Sequence, residues 1–189
     1  MPANRFTCLA VGVLLLAATP PASADDLRKG LKAVRKAVSS DDSAGLASAL
    51  GLVTASGGKA AAKGLLDIIE GFPPNKPAMY WPVLNALTSL KDPKGVDAIG
   101  DFLVKNGTAP AAQDVLFALQ NNQSPELLGV HRKLLQKKGH PLRLLACDRL
   151  GEFESPEAVD LLLEVLRKED GKGTPLERRI KSTLASLFG

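Results

Sequence analysis

The chain has 189 residues, of which 45% are hydrophobic and 23% charged, a globular rather than disordered composition that suffices for one domain with a real core. A formal charge of +4 is too balanced for a nucleic-acid binder, which needs a concentrated cationic face. Aromatic residues make up only 4%, so the core must come from aliphatic side chains rich in Ala and Leu, which lose little freedom in a helix.

Residues 1–24 read as a secretory signal peptide. Arg5 supplies one cation, residues 9–18 (LAVGVLLLAA) are apolar, and Pro20-Pro21 precede the small residues Ala22-Ser23-Ala24. Ten apolar residues would span only about half of a bilayer core, which argues against a membrane anchor. Cys8 precedes the apolar run instead of closing it, unlike the arrangement in a lipoprotein. Cleavage after Ala24 leaves a repeat domain over 25–189 with 23 basic and 20 acidic residues. Cys147 is then the sole cysteine, so no internal disulfide forms. The expected location is the periplasm, the cell envelope or the medium.

A first helix is predicted over 26–38, with Leu27, Leu31, Val34 and Val38 along one face. Beyond a break at 39–43, four segments line up: 46–69, 79–104, 111–135 and 142–166. Their anchors are the turns ending at Pro93, Pro125 and Pro156, spaced by 32 and 31 residues, with Lys59 in the equivalent place 34 residues earlier. Nine residues before each anchor lie Leu50, Leu84, Leu116 and Cys147; six before lie Val53, Leu87, Leu119 and Leu150. Three residues after come Ala62, Val96, Leu128 and Val159, and nine after come Ile68, Phe102, Leu134 and Val165. Apolar spacings of three, four and seven on both sides of a turn predict two helices per unit. An Asp-Pro or Ser-Pro turn also suits a helix start, because the polar residue caps and Pro sits where no N–H is needed. A final helix is predicted over 175–188, with Ile180, Leu184 and Leu187 facing inward. The fold expected is all-α: an α-α superhelix of about ten helices, with an N-terminal cap, four pairs and a C-terminal cap.

Residues 142–151 (LRLLACDRLG), followed by Ser155-Pro156-Glu157-Ala158-Val159, resemble the HEAT-like repeat family, in particular its short phycobilisome-lyase-like type. Leu84-Asn85-Ala86-Leu87 followed by Asp92-Pro93-Lys94-Gly95-Val96 is the second copy by likeness. The resemblance covers nearly all of 25–189 and implies a HEAT-like solenoid. It also implies that a chromophore-lyase or accessory role is an alternative to a binding role.

Candidates for chemistry are few. Cys147 shares its column with leucines and reads as a small buried hydrophobe; His131 shares one with Ile99 and Leu162 and reads as interior. His140 precedes Pro141 at a helix start, in a loop role. Neither Ser56-Gly57-Gly58-Lys59 nor Gly171-Lys172-Gly173-Thr174 has phosphate-loop spacing. Glu152, Glu154, Glu157, Asp160 and Glu164 gather acid around the fourth turn, at spacings typical of a solvated helix face. No catalytic residue, metal or cofactor is expected.

Surfaces are more informative. Trp81, beside the only Tyr, shares its column with Ala47, Gln113 and Leu144 and is a candidate binding anchor. The second helices carry Lys94, Asp97 and Asp101, then Arg132 and Lys133, then Glu157, Asp160 and Glu164, a mixed-charge face suited to a protein partner. Arg28, Lys32, Arg35 and Lys36 make the first helix basic and form a candidate contact with an anionic membrane or partner. The expected function is a non-catalytic, exported protein-binding scaffold.

Overall fold

The computed structural model describes residues 23–119, 125–153 and 155–188. The expected signal peptide, apart from Ser23 and Ala24, lies outside these, as do Cys8, Gln123, Ser124 and Glu154. The described chain forms ten α-helices and no strand. They are α1 (Ala24–Ser40), α2 (Ser43–Ser56), α3 (Gly58–Glu70), α4 (Pro77–Thr88), α5 (Pro93–Lys105), α6 (Pro110–Leu119), α7 (Leu128–Gln136), α8 (Arg143–Leu150), α9 (Pro156–Glu169) and α10 (Pro175–Phe188). A 3-10 turn, Pro125–Leu127, leads into α7. None of the described helices is long and apolar enough to cross a membrane.

The helix starts follow from side chains that replace missing backbone partners. The Asp92 carboxylate accepts the backbone N–H groups of Lys94 and Gly95, both at 3.0 Å, while Pro93 occupies the first helical position. Ser155 and Pro156 open α9 in the same way, with Ala158 N–H on Ser155 Oγ at 3.2 Å. Asp42 caps α2 by accepting from Gly45 N–H at 2.9 Å, so α2 begins at Ser43 and the break before it narrows to Asp41-Asp42. Ser23 and Asp26 cap α1 reciprocally, so processing after Ala24 would remove half of that cap. Between α2 and α3 the turn is a single residue, Gly57 (φ 60°, ψ −165°), followed by Gly58 at φ 70°. L side chains rarely adopt either conformation, and this is the one turn of the four that has no proline.

Helices stack by kind. α3, α5, α7 and α9 contact one another in succession, forming one layer; α2, α4 and α6 do the same in the other, and α10 packs on α8. The terminal helices complete the stack as half-repeats, α1 against α2 and α3, α10 against α8 and α9. The repeat columns fill the space between layers. The positions nine and six before the anchors are buried in all four units. The column three after drifts: Ala62 and Val96 are buried, whereas Leu128 and Val159 are half-buried. The uniformly buried neighbour is one residue earlier, at Ala61, Gly95, Leu127 and Ala158, where three of four residues are small enough for close helix approach.

The two layers differ in character. α3, α5, α7 and α9 each have a charged outer face opposite a buried one. By contrast α2, α4 and α6 together carry a single charged residue, Asp114, and their outer sides mix apolar and small residues with uncharged polar ones such as Asn85 and Gln113.

Candidate partner-binding face

The sequence-predicted residues fall on opposite sides of the molecule. Trp81 lies on the α2–α4–α6 layer and is 45% exposed, in a column that is exposed in all four units. Lys94, Asp97, Asp101, Arg132, Lys133, Glu157, Asp160 and Glu164 lie on the charged layer, and the structure does not bring them near Trp81.

On the charged layer several of these side chains hold the stack together. Lys133 of α7 reaches across to α5, with Nζ 2.9 Å from both Asp97 Oδ1 and Asp101 Oδ1. Burial of its stem opposes the charge, but the two carboxylate hydrogen bonds outweigh this and hold the ammonium above the usual lysine range. Gln136 of α7 donates to Glu164 of α9 at 3.4 Å, and Lys168 pairs with Glu164 at 2.7 Å. The two Lys133 pairs bridge α5 and α7 and contribute roughly 0.2–1 kcal/mol each, whereas the Lys168–Glu164 pair lies within α9.

The other layer has an open aromatic run. Phe72, in the loop after α3, stands edge-on to Tyr80 (centroids 5.0 Å apart). Tyr80 meets Trp81 at 6.4 Å, and Trp81 meets Phe117 of α6 at 6.2 Å. The Arg149 guanidinium of α8 caps the Phe117 ring at 5.0 Å and donates to Glu152 at 2.6 Å. Phe117 is 44% exposed and Leu52 of α2 51%. Sequence reading missed Phe117, although its column (Gly51, Asn85 and Asp148) is small or polar and marks a surface position.

At one end of this run the loops at 71–77 and 106–109 enclose a groove of about 460 Å³. Its walls are Phe72, Tyr80, Pro73, Pro74 and the prolines that open α4 and α6, Pro77 and Pro110, and its ionisable groups are Glu70, Tyr80 and Asp114. Tyr80 O–H donates to Asp114 Oδ2 at 2.8 Å; burial and this carboxylate push the phenol above its ordinary range, so it stays a donor. The first of these loops is tied to α1. Lys76 donates from Nζ to the Val38 and Ser39 carbonyls at the end of α1, each at 2.7 Å, and to Asp41 at 3.0 Å. His140 lies over Gly107, where a Cβ would meet its ring at 2.5 Å. Its Nε2–H donates to the Leu103 and Val104 carbonyls at 3.1 and 3.2 Å, while Nδ1 accepts from Leu142 N–H at 3.2 Å.

The remaining candidates are structural. Cys147 is fully buried, 3.6 Å from Thr183 Oγ1, and burial pushes its thiol up to about 11. Arg143 ties three helices, donating to the Leu135 carbonyl at 2.9 Å and to Glu169 at 3.1 Å. Burial disfavours the Glu169 carboxylate, but Arg143 outweighs it and keeps the group below its ordinary range. The N–H groups of Gly171 and Gly173 are taken by Glu177 at 3.3 and 2.7 Å, so the glycine-rich loop before α10 already holds an anion of its own. Among the described residues no three His, Cys, Asp or Glu side chains lie close enough together to hold a metal ion.

Arg28, Lys32, Arg35 and Lys36 are all exposed on α1. The apolar side of that helix is spent on the stack, with Val34, Ala37 and Val38 buried and Leu31 packed over Gly64. No family model matches this chain, and no match is found among curated proteins or solved structures.

Proposed function

We propose that this chain is an exported, HEAT-like repeat scaffold that performs no chemistry itself and binds a partner protein through the outer face of α2, α4 and α6. The observation that carries the reading is the pairing of Trp81 and Phe117, each nearly half-exposed, on three helices with one charged residue among them. An outer face that exposes Leu52, Trp81 and Phe117 with almost no charge around them calls for cover, and the stack covers only the opposite side of these helices. Exposed aromatic side chains in contact with each other are also the residue type that anchors protein interfaces. Export rests on the pattern of residues 1–24, and the HEAT-like assignment on the repeat columns and the residues of the fourth unit.

A second reading is attachment to an anionic membrane or partner through Arg28, Lys32, Arg35 and Lys36, favoured by their common exposure. With the apolar stripe of α1 already packed, such contact would be electrostatic and would weaken steeply with salt.

The test is affinity capture from the native envelope fraction with three forms of the tagged chain: unaltered, Trp81→Ala with Phe117→Ala, and Lys94→Glu with Asp160→Lys. A stoichiometric protein partner retained by the first and third forms and lost by the second supports the assignment. Loss with the third form alone moves the interface to the charged layer. Recovery of lipid or pigment without protein rejects the scaffold reading.

A further inference from the structure

The groove beside Tyr80 has a definite chemical character. Glu70 and Asp114 are the charged groups that line it, no basic side chain does, and the walls are aromatic rings and proline rings. Lys76, the lysine of the same loop, is turned away onto the carbonyls of α1. An occupant therefore needs a positive group for the carboxylates and an apolar stem for the walls. Arginine has both: three methylenes that pack on apolar surface, and a planar guanidinium that bonds carboxylates and stacks on rings.

Size and position indicate how the group arrives. A groove of about 460 Å³ is larger than one side chain needs and falls within the range of ligand sites. Tyr80, which lines it, stands 6.4 Å from Trp81, and Trp81 6.2 Å from Phe117, so a chain that leaves the groove past Tyr80 meets exposed rings. Because Lys76 ties the 71–76 loop to the end of α1, little ordering of that wall is left to be done on binding. We propose that this groove takes an arginine side chain from an extended segment of the partner protein, with Glu70 and Asp114 receiving the guanidinium. This rests on the protein-binding reading above but fails separately from it.

The experiment uses the full chain and three probes: a blocked nonapeptide of alanine and proline with one central arginine, the same peptide with neutral citrulline there, and free argininamide. Trp81, the only tryptophan, reports binding by fluorescence, and amide NMR shifts at 71–77 and 106–109 locate it. The arginine peptide should saturate, with the citrulline peptide and argininamide each at least tenfold weaker. Glu70→Gln with Asp114→Asn should lose the same factor, the Asn oxygen still accepting from Tyr80. The citrulline arm tests the charge on the unaltered protein, independently of any effect of the substitutions on folding. Equal binding of arginine and citrulline peptides, or no saturation at millimolar peptide, overturns the proposal. Argininamide binding as tightly as the peptide overturns the peptide assignment in favour of a free organic cation. Capture of a partner that needs Trp81 and Phe117 but ignores Glu70→Gln with Asp114→Asn overturns the arginine site and leaves the scaffold standing.

Discussion

His131 occupies a position that Leu65, Ile99 and Leu162 fill in the other units, and all four are fully buried. Its ring stands edge-on to Phe153, with centroids 5.4 Å apart, and neither ring nitrogen makes a hydrogen bond of normal geometry. A buried, unpaired N–H costs about 1–3 kcal/mol. Burial depresses the imidazole to about 4, only partly opposed by the Ala146 backbone. Unfolded, the same group titrates near 6.5. Between those values the unfolded chain takes up a proton that the folded chain refuses, so stability falls as pH drops from 6.5 to about 4 and is flat above 6.5 for this group. The loss amounts to about 3 kcal/mol. His131→Leu, which restores the column residue, should stabilise the protein by about 1–3 kcal/mol at pH 7 and more at pH 4.5. Urea denaturation of both proteins across this range measures it: the difference between them isolates His131 from carboxylates that titrate nearby. A constant difference at all pH values would contradict the argument.

Among the elements, the loop at 71–77 shows how order is imposed without regular structure. Its Lys76 ammonium satisfies two carbonyls at the end of α1, groups that a helix terminus leaves unpaired. Lys76→Ala should cost about 1.5–3 kcal/mol, the range for hydrogen bonds to charged groups, and accelerate amide exchange in the last turn of α1 and across 71–77. Exchange in α8 and α9 should be unchanged if the damage is local. This contact joins residues 37 and 38 positions apart, and nothing in the repeat pattern points to it. The helices themselves were legible because prolines and caps recur at nearly constant spacing, and α10 spans the residues expected of it. Asp42 caps α2, a role that its residue type and place signal but the repeat columns do not. Trp81 was recoverable from its column, whereas the groove was not, since Tyr80 meets Asp114 only after two repeats have stacked. A helix with almost no charge gives periodicity little contrast by which to tell its outer face from its buried one.

For the whole molecule, a stack whose units touch only their neighbours should open from its ends. Cys147 offers a probe of one end, because it is buried under α10 beside Thr183 and is the only cysteine in the described residues. Its thiol can react only when α10 lifts away or the whole chain unfolds. In a chain carrying Cys8→Ser, Ile180→Ala removes a fully buried side chain from α10, and Val34→Ala removes one from α1 at the far end. Each lesion costs about 1–5 kcal/mol. If α10 opens alone, Ile180→Ala should speed thiol labelling of Cys147 at least tenfold, the factor that corresponds to about 1.4 kcal/mol. Val34→Ala should leave that rate almost unaltered, although both variants melt at lower temperature. Equal acceleration by both would mean that the stack unfolds as one cooperative unit, with the two half-repeats at its ends as tightly coupled as its centre. The first outcome would make α10 a separable cover over Cys147, and the layer of α2, α4 and α6 would keep its shape while that cover opens.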